Sequence, residues 1–258
     1  MKVYPDLNQV DDYIRQAGKV QIGEMEQKFE NTLRRIKKYK EIHAETRILE
    51  VGTGTGWFPI LCKKKGIHCD GLEISPQLVE FAENLGRKYG IEPNIQVGNI
   101  EEVEIGVSTY DIIIALSTFE HVEHWQIGMQ RIFHALKPGG LFYFYSTNKF
   151  SFWSGEYSFP FYGWLPNKWR YRLRIIRQGE DIMKLGIDFN QFNHFQLNRF
   201  FRELGFSKIF DQFEVIDSEN MIQSQTWKNI VLEIVKQFKI LRQIALLFSP
   251  GTLFVCKK

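Results

Sequence analysis

From Arg47 onward the chain alternates short apolar runs with stretches in which apolar residues recur every three or four positions. Arg47–Val51, His68–Glu73, Asn94–Gly98, Tyr110–Leu116 and Gly140–Ser146 read as strands, and Phe58–Lys65, Pro76–Tyr89 and Gln126–Leu136 as the helices between them. The run Ile112-Ile113-Ile114-Ala115-Leu116 offers no polar face. Strands of that kind belong in a parallel sheet covered by helices on both sides. Ahead of the first strand, Leu7, Val10, Tyr13, Ile14, Met25, Phe29, Leu33 and Ile36 fall at mainly helical spacing, with a break near Gly18 and Gly23. Two N-terminal helices over residues 1–44 are the expectation.

The rhythm stops near Lys149. Residues 150–171 hold ten aromatics among Gly155, Pro160, Gly163 and Pro166, a composition of neither a disordered linker nor a regular sheet. Residues 149–190 are therefore read as a lid-like insertion. Asn198–Leu204 resumes as helix, closed by Gly205, and Phe206–Ile216 reads as a strand. Across 227–248 an amphipathic helix sets Trp227, Ile230, Ile234, Phe238, Leu241 and Ala245 on one face, which core packing explains most simply. Thr252–Cys256 is the last strand. The fold expected is a doubly wound α/β domain over 45–258, with a seven-stranded, mostly parallel sheet and its final strand antiparallel.

With 258 residues the chain is long enough for one large domain with a full core. No apolar run approaches the roughly 18–20 residues of a membrane span. The opening Met-Lys-Val-Tyr-Pro-Asp lacks a signal-peptide core, and Cys62, Cys69 and Cys256 have no metal or disulfide spacing, so a reducing cytoplasm is expected. Net charge is only +3, but residues 1–150 carry 18 Lys/Arg against 20 Asp/Glu, whereas 151–258 carry 15 against 10. The positive excess lies in the second half, with the aromatics.

The first strand opens directly into three alternating glycines, Ile48-Leu49-Glu50-Val51-Gly52-Thr53-Gly54-Thr55-Gly56. Such a turn brings bare backbone close to a ligand. A dinucleotide fingerprint spaces its glycines G-x-G-x-x-G; here the pattern is G-x-G-x-G. The second strand ends at Glu73-Ile74-Ser75-Pro76, which puts a carboxylate at the edge where doubly wound sheets bind ligands. Glu73 reads as a ribose ligand, or as a helix-start carboxylate beside Ser75. Gly98-Asn99-Ile100 follows the third strand, Ser117-Thr118-Phe119-Glu120-His121 the fourth, and Leu136-Lys137-Pro138-Gly139-Gly140-Leu141 precedes the fifth.

Taken in order over about residues 45–148, these elements resemble the class I S-adenosylmethionine-dependent methyltransferases, in particular small-molecule enzymes such as the ubiquinone-pathway O-methyltransferases. The resemblance implies S-adenosylmethionine as cofactor and methyl donor. It implies contacts from Glu50, Gly52, Thr53, Gly54 and Gly56 to the methionyl portion, Glu73 and Ile74 at the ribose, Asn99 and Ile100 at the adenine, and Leu116 and Ser117 beneath the sulfonium. Asn99 stands where the family commonly has Asp, and its amide can still accept a hydrogen bond from an exocyclic amine. Relatives that use a metal have an acidic residue upstream of Glu-His; Ser117 is there instead, so no required metal is expected.

The donor arrives activated, so a base matters only if the acceptor must lose a proton. His121 is the first candidate, because an imidazole titrates near neutral pH; it reads equally as a helix-start residue. His194, ahead of the 198–204 helix, is a second candidate for the acceptor pocket, or a packed core histidine. Within the insertion, Gly163–Arg177 carries Lys168, Arg170, Arg172, Arg174 and Arg177 interleaved with Trp164, Trp169 and Tyr171 and no acidic residue. Three readings stand: a lid with aromatics inward and cations in water, a peripheral contact with a membrane's inner face that suits a lipid-linked acceptor, or a nucleic-acid surface, which the modest charge disfavours. A homodimer contact through 227–248 is also open. The function expected is methyl transfer to a small-molecule or lipid-linked acceptor at oxygen. A binding protein without catalysis and an NAD(P)-dependent oxidoreductase are the alternatives.

Overall fold

The computed structural model describes residues 14, 22–154, 159–178, 190–216 and 233–258. Of the two N-terminal helices expected, the first lies almost wholly outside the described residues. The second is α1 (Ile22–Lys37), which buries Phe29, Leu33 and Ile36. Then come β1 (Arg47–Val51), α2 (Trp57–Lys64), β2 (His68–Glu73), α3 (Pro76–Lys88), β3 (Asn94–Val97), β4 (Tyr110–Leu116), a 3-10 turn at Phe119–His121, α4 (Trp125–Ala135) and β5 (Leu136–Thr147).

These strands and two later ones form a seven-stranded sheet. Its order is β3-β2-β1-β4-β5, then β9 (Gly251–Lys257) and β8 (Lys208–Asp211). β1 through β5 pair in parallel, whereas β9 runs antiparallel to both β5 and β8. The strand order reverses where β1 lies between β2 and β4. Ligands of open α/β sheets bind in the crevice outside the carboxyl ends of the strands at such a point.

The period of two in an extended chain sorts the core. Leu49, Val51, Ile113, Ala115, Phe142, Phe144 and Phe254 face one way, against Met129 and Ile132 of α4 and Leu197 and Phe201 of α6 (His194–Leu204). Ile48, Ile112, Ile114, Leu141, Tyr143 and Val255 face the other, against α1 and α2. By that alternation Glu50 stands on the α1–α2 side.

Three expectations from the fifth strand onward need correcting. The fifth strand begins at Leu136, not Gly140: Lys137-Pro138-Gly139-Gly140 is an irregularity inside it, with Tyr110 opposite Leu136 and Ile112 opposite Leu141. Gly139 takes φ +71 there, and Lys258 bonds the carbonyl of Gly140. The strand expected over 206–216 ends at Asp211. There the Asp211 side chain accepts from Phe213 N and Glu214 returns the bond to Asp211 N, a capping box that starts the short helix α7 (Gln212–Val215).

The third correction concerns the C-terminal helix. Residues 227–232 lie outside the described set, 233–237 are helical, the helix breaks at Phe238, and α8 (Lys239–Phe248) follows. Leu246 is the buried residue of α8, while Leu241 and Ile244 are exposed. Core packing does not account for this face. The insertion has described structure at its start: the β6 (Trp153–Ser154) and β7 (Phe159–Pro160) hairpin, a 3-10 turn at Tyr162–Trp164, and α5 (Asn167–Gln178).

A crevice at the carboxyl ends of three strands

The glycines of the first turn all adopt φ values that L side chains avoid: +74 at Gly52, +58 at Gly54 and +78 at Gly56. Two of them are also sterically locked. A Cβ on Gly52 would run into the hydroxyl of Thr118, and one on Gly56 into Ala82. Gly52 N and Thr53 N both bond the carbonyl of Leu72, so the turn is strapped to the end of β2. Thr53 is buried, and its hydroxyl donates to the carbonyl of Glu50 at 3.2 Å.

Glu73 closes this loop from the neighbouring strand. Its carboxylate accepts from Gly54 N at 2.7 Å and from Ser75 N at 3.1 Å. Burial raises its pKa, against the opposing pull of the Ser75, Gly54 and Ile74 backbone N–H groups. Ser75 caps α3 by accepting from Leu78 N. The two readings of Glu73 therefore meet in one residue, since the carboxylate that fixes the helix start also fixes the glycine turn. Ile74 is partly buried beside it.

Glu50 is the desolvated member. It is buried, its Oε2 has no hydrogen-bond partner, and its pKa stands well above the ordinary carboxylate value because of burial first and the nearby Glu73 second. An isolated carboxyl taken out of water is costly to ionise. The crevice thus offers a cradle of bare backbone, a held carboxylate and an unpaired carboxyl, a set that fits a ligand with a cationic end and vicinal hydroxyls.

Asn99 and Ile100 lie beyond β3. Asn99 is half-buried and engaged locally: its Oδ1 accepts from Glu101 N, and its amide donates to Glu101. Ile100 is buried in the core, in contact distance of Gly128. At the end of β4, Leu116 is half-buried and Ser117 is exposed, in the left-handed region at φ +51, held by donation from its N–H to the carbonyl of Tyr145. His121 is half-buried in the 3-10 turn just after it.

The structure does not bring His194 to this group. That ring is buried and stacked on Phe254 of β9 at 4.8 Å and 17°. Burial lowers its pKa, with Asp211 opposing and Arg242 reinforcing the shift. Phe254 pairs with Phe144, and Phe144 with Ala115, so His194 is packed against a strand two places from β4.

Thr118 and Asn190 were not singled out from the sequence, and Glu120 was read only as part of the Glu-His pair. The Thr118 hydroxyl donates to the carbonyl of Val51 at 3.0 Å, joining the ends of β4 and β1 under Gly52. Glu120 is fully buried and accepts from Ser146 Oγ at 2.8 Å. Asn190 donates its side-chain amide to the carbonyls of Phe119 and Val122, fastening the return from the insertion to the His121 turn. A hydroxyl at a strand end opposite a glycine was the only signal for Thr118; Asn190 had none.

The insertion departs in part from the expected division of aromatics inward and cations in water. Arg170 is fully buried over the Tyr162 and Tyr171 rings and donates to Asn167 Oδ1 at 2.7 Å. Trp153 and Trp169, by contrast, are 55% and 60% exposed. One cation is inside with Tyr162, and two tryptophans are outside.

A doubly wound sheet with a glycine turn at its switch point and the carboxyl groups of Glu50 and Glu73 at the ends of β1 and β2 places the chain among the α/β proteins that bind ligands at the carboxyl ends of their strands. A family profile described as a methyltransferase domain matches residues 22–216, and the chain belongs to that family. The Bacillus subtilis methyltransferase YdaC is 30% identical over 95 residues, which is 36% of this chain and 51% of that one. A ubiquinone biosynthesis O-methyltransferase of Coxiella burnetii is 28% identical over 102 residues, 40% and 44% of the two chains. The chain thus spans about half the length, or less, of the curated relatives it matches. Among solved structures, a SAM-dependent methyltransferase from Archaeoglobus fulgidus superposes with a TM-score of 0.55 at 18% identity, covering 91% of this chain and 94% of that one. A Haemonchus contortus phosphoethanolamine N-methyltransferase 2 in complex with S-adenosyl-L-methionine gives 0.55 at 18% identity, covering 89% and 52%.

Proposed function

We propose that the chain transfers a methyl group from S-adenosylmethionine to a small-molecule or lipid-linked acceptor at oxygen. The observation that carries this reading is the crevice itself: three glycines with positive φ, the held carboxylate of Glu73 and the unpaired carboxyl oxygen of Glu50. A cofactor with a cationic methionyl end and a ribose matches that set at both ends. Its sulfonium supplies a methyl carbon already activated for direct displacement, so alignment and exclusion of water are the protein's main contributions.

In this reading the glycine turn and Glu50 hold the methionyl portion, Glu73 the ribose hydroxyls, and Asn99 with Ile100 the base. His121, on the turn after β4, takes the proton from an acceptor hydroxyl. Among the described residues no group of three or more His, Cys, Asp or Glu side chains could hold a metal. The G-x-G-x-G spacing and the irregular start of β5 count against a nicotinamide dinucleotide.

Calorimetric titration with S-adenosylmethionine and with NAD separates the donor readings: saturable binding of the first and none of the second is expected. Label transfer from methyl-tritiated S-adenosylmethionine to a panel of phenols, sugars, amines and fatty acids then identifies the acceptor. Tight cofactor binding with no transfer to any acceptor would favour a binding protein.

A further inference from the structure

We propose that the aromatic and basic surface built by the start of the insertion and the C-terminal helix docks on an anionic lipid bilayer. The proposal is independent of the methyl-transfer reading, because it rests on surface side chains outside the crevice.

A cluster of rings lies at the outer end of β5. Phe152 stacks on Phe248 of α8 at 5.0 Å and 13°, and Trp164 lies over the same Phe248 at 6.0 Å and 20°. Phe152, Phe161 and Trp164 remain exposed despite these contacts. Phe248 continues into an apolar stripe, since Ile244 and Leu241 precede it by four and seven positions and both are exposed. Isolated exposed apolar residues need no explanation, but a contiguous aromatic patch marks an interaction site.

The helix α5 follows this cluster directly in the chain. Its inner side is fixed by the buried Arg170, so Trp169 and Ile176, seven positions apart and at 60% and 72% exposure, share the outer side with Arg172. Charge decides the occupant. Residues 159–178 and 239–248 contain no Asp or Glu, and Lys168, Arg172 and Lys239 are exposed. Trp and Phe at headgroup level with Lys and Arg around them is the composition that lies in a bilayer interface and is drawn to anionic lipid. The core of a contact between two copies would instead be depleted in lysine.

The surface also has a fixed place relative to the crevice. Asn148, at the end of β5, donates to the carbonyls of Leu247 and Ser249, and Trp164 Nε1 donates to the carbonyl of Ser151. The patch is thereby tied to the sheet edge that carries the crevice.

Flotation of the full chain with vesicles of phosphatidylcholine, with and without phosphatidylglycerol, tests this. Binding to the anionic vesicles is expected, falling as salt rises, with little binding to neutral ones. Trp169→Ser with Ile176→Ser, and separately Lys168→Ser with Arg172→Ser and Lys239→Ser, should each cut the bound fraction by about tenfold. Their melting temperatures should not change, because these side chains are exposed. No binding, equal binding to neutral vesicles, or wild-type binding by the folded variants would overturn the proposal. So would dimerisation, or salt-sensitive RNA binding, that the same substitutions remove while vesicle binding is absent. Cofactor affinity measured without vesicles reports separately on the crevice.

Discussion

Glu50→Gln should weaken S-adenosylmethionine while making the ligand-free protein less sensitive to pH. The carboxyl is buried with one oxygen unpaired, and burial together with Glu73 has raised its pKa well above the ordinary value. In the unfolded chain it ionises near its usual value. Between that value and the raised folded one, the native state therefore holds a proton that the unfolded state has lost. Stability from this group is accordingly full at acid pH, falls as pH rises through that interval by about 1.4 kcal/mol per pH unit, and levels off above the folded pKa. Glutamine does not titrate, so the stability of Glu50→Gln relative to wild type should rise from acid toward neutral pH. Because Glu73 is one cause of the Glu50 shift, the comparison reads Glu50 together with its coupling to Glu73.

A cation bound beside Glu50 favours the ionised form, so binding should release a proton and tighten with pH. A hydrogen bond to a charged partner contributes about 1.5–3 kcal/mol. The loss in Glu50→Gln should then be on the order of ten- to hundredfold in Kd at neutral pH, at about 1.4 kcal/mol per tenfold. Titration calorimetry in buffers of different ionisation enthalpy reads the affinity and the proton count together, and urea melts across pH read the stability. Equal proton release by the two proteins, or an affinity that Gln leaves unchanged, would refute the assignment of Glu50 to the cationic end.

Gly54→Asp should abolish cofactor binding, because Gly54 at φ +58 donates to Glu73 and a second carboxylate there adds repulsion to backbone strain; calorimetry showing retained affinity would remove the glycine turn from the site. His121→Ala should lower kcat by about a hundred- to ten-thousandfold with cofactor affinity unchanged, the range of a general base; full turnover would make His121 structural. Asp111→Asn should destabilise the fold by about 1–3 kcal/mol at neutral pH, since Asp111 accepts from Arg47 N and Lys137 Nζ. Although burial opposes it, the Lys137, Arg47 and Lys40 contacts hold this carboxyl below the ordinary aspartate value. That stability is present above the unfolded pKa and lost as pH falls through the folded one, so the gap between mutant and wild type should close only in strong acid.

The first half of the chain was legible because each strand there is a short run bounded by its own turn residues. His68–Glu73 and Tyr110–Leu116 stand where the pattern placed them. The glycine turn and Glu73 were legible for the same reason, although the bond from Gly54 N to Glu73 was not, since it joins strands 19 residues apart. Past Lys149 the inference that apolar means inside and charged means outside breaks down: Arg170 is buried and Trp169 exposed. A local pattern cannot report a burial that distant elements decide. The helix at Gln212–Val215 was readable, however, because Asp211 and Glu214 have the spacing of a capping box.

Backbone strain links the two halves of this picture. Among the described residues, Ser108, Ser117 and Phe161 are the non-glycine positions with positive φ. Such a conformation costs on the order of 1–3 kcal/mol and persists only where surrounding structure enforces it. Ser117 is enforced by its bond to the Tyr145 carbonyl at the mouth of the crevice, and Phe161 by its place in the exposed ring cluster with Phe152 and Trp164. Two of the three strained positions thus fall at the two surfaces to which binding is assigned. Neither residue type favours that conformation, so no reading of local propensity would have marked them. The strain is imposed by the fold, at the points where β4 must deliver Ser117 to the crevice and where the chain must turn Phe161 outward.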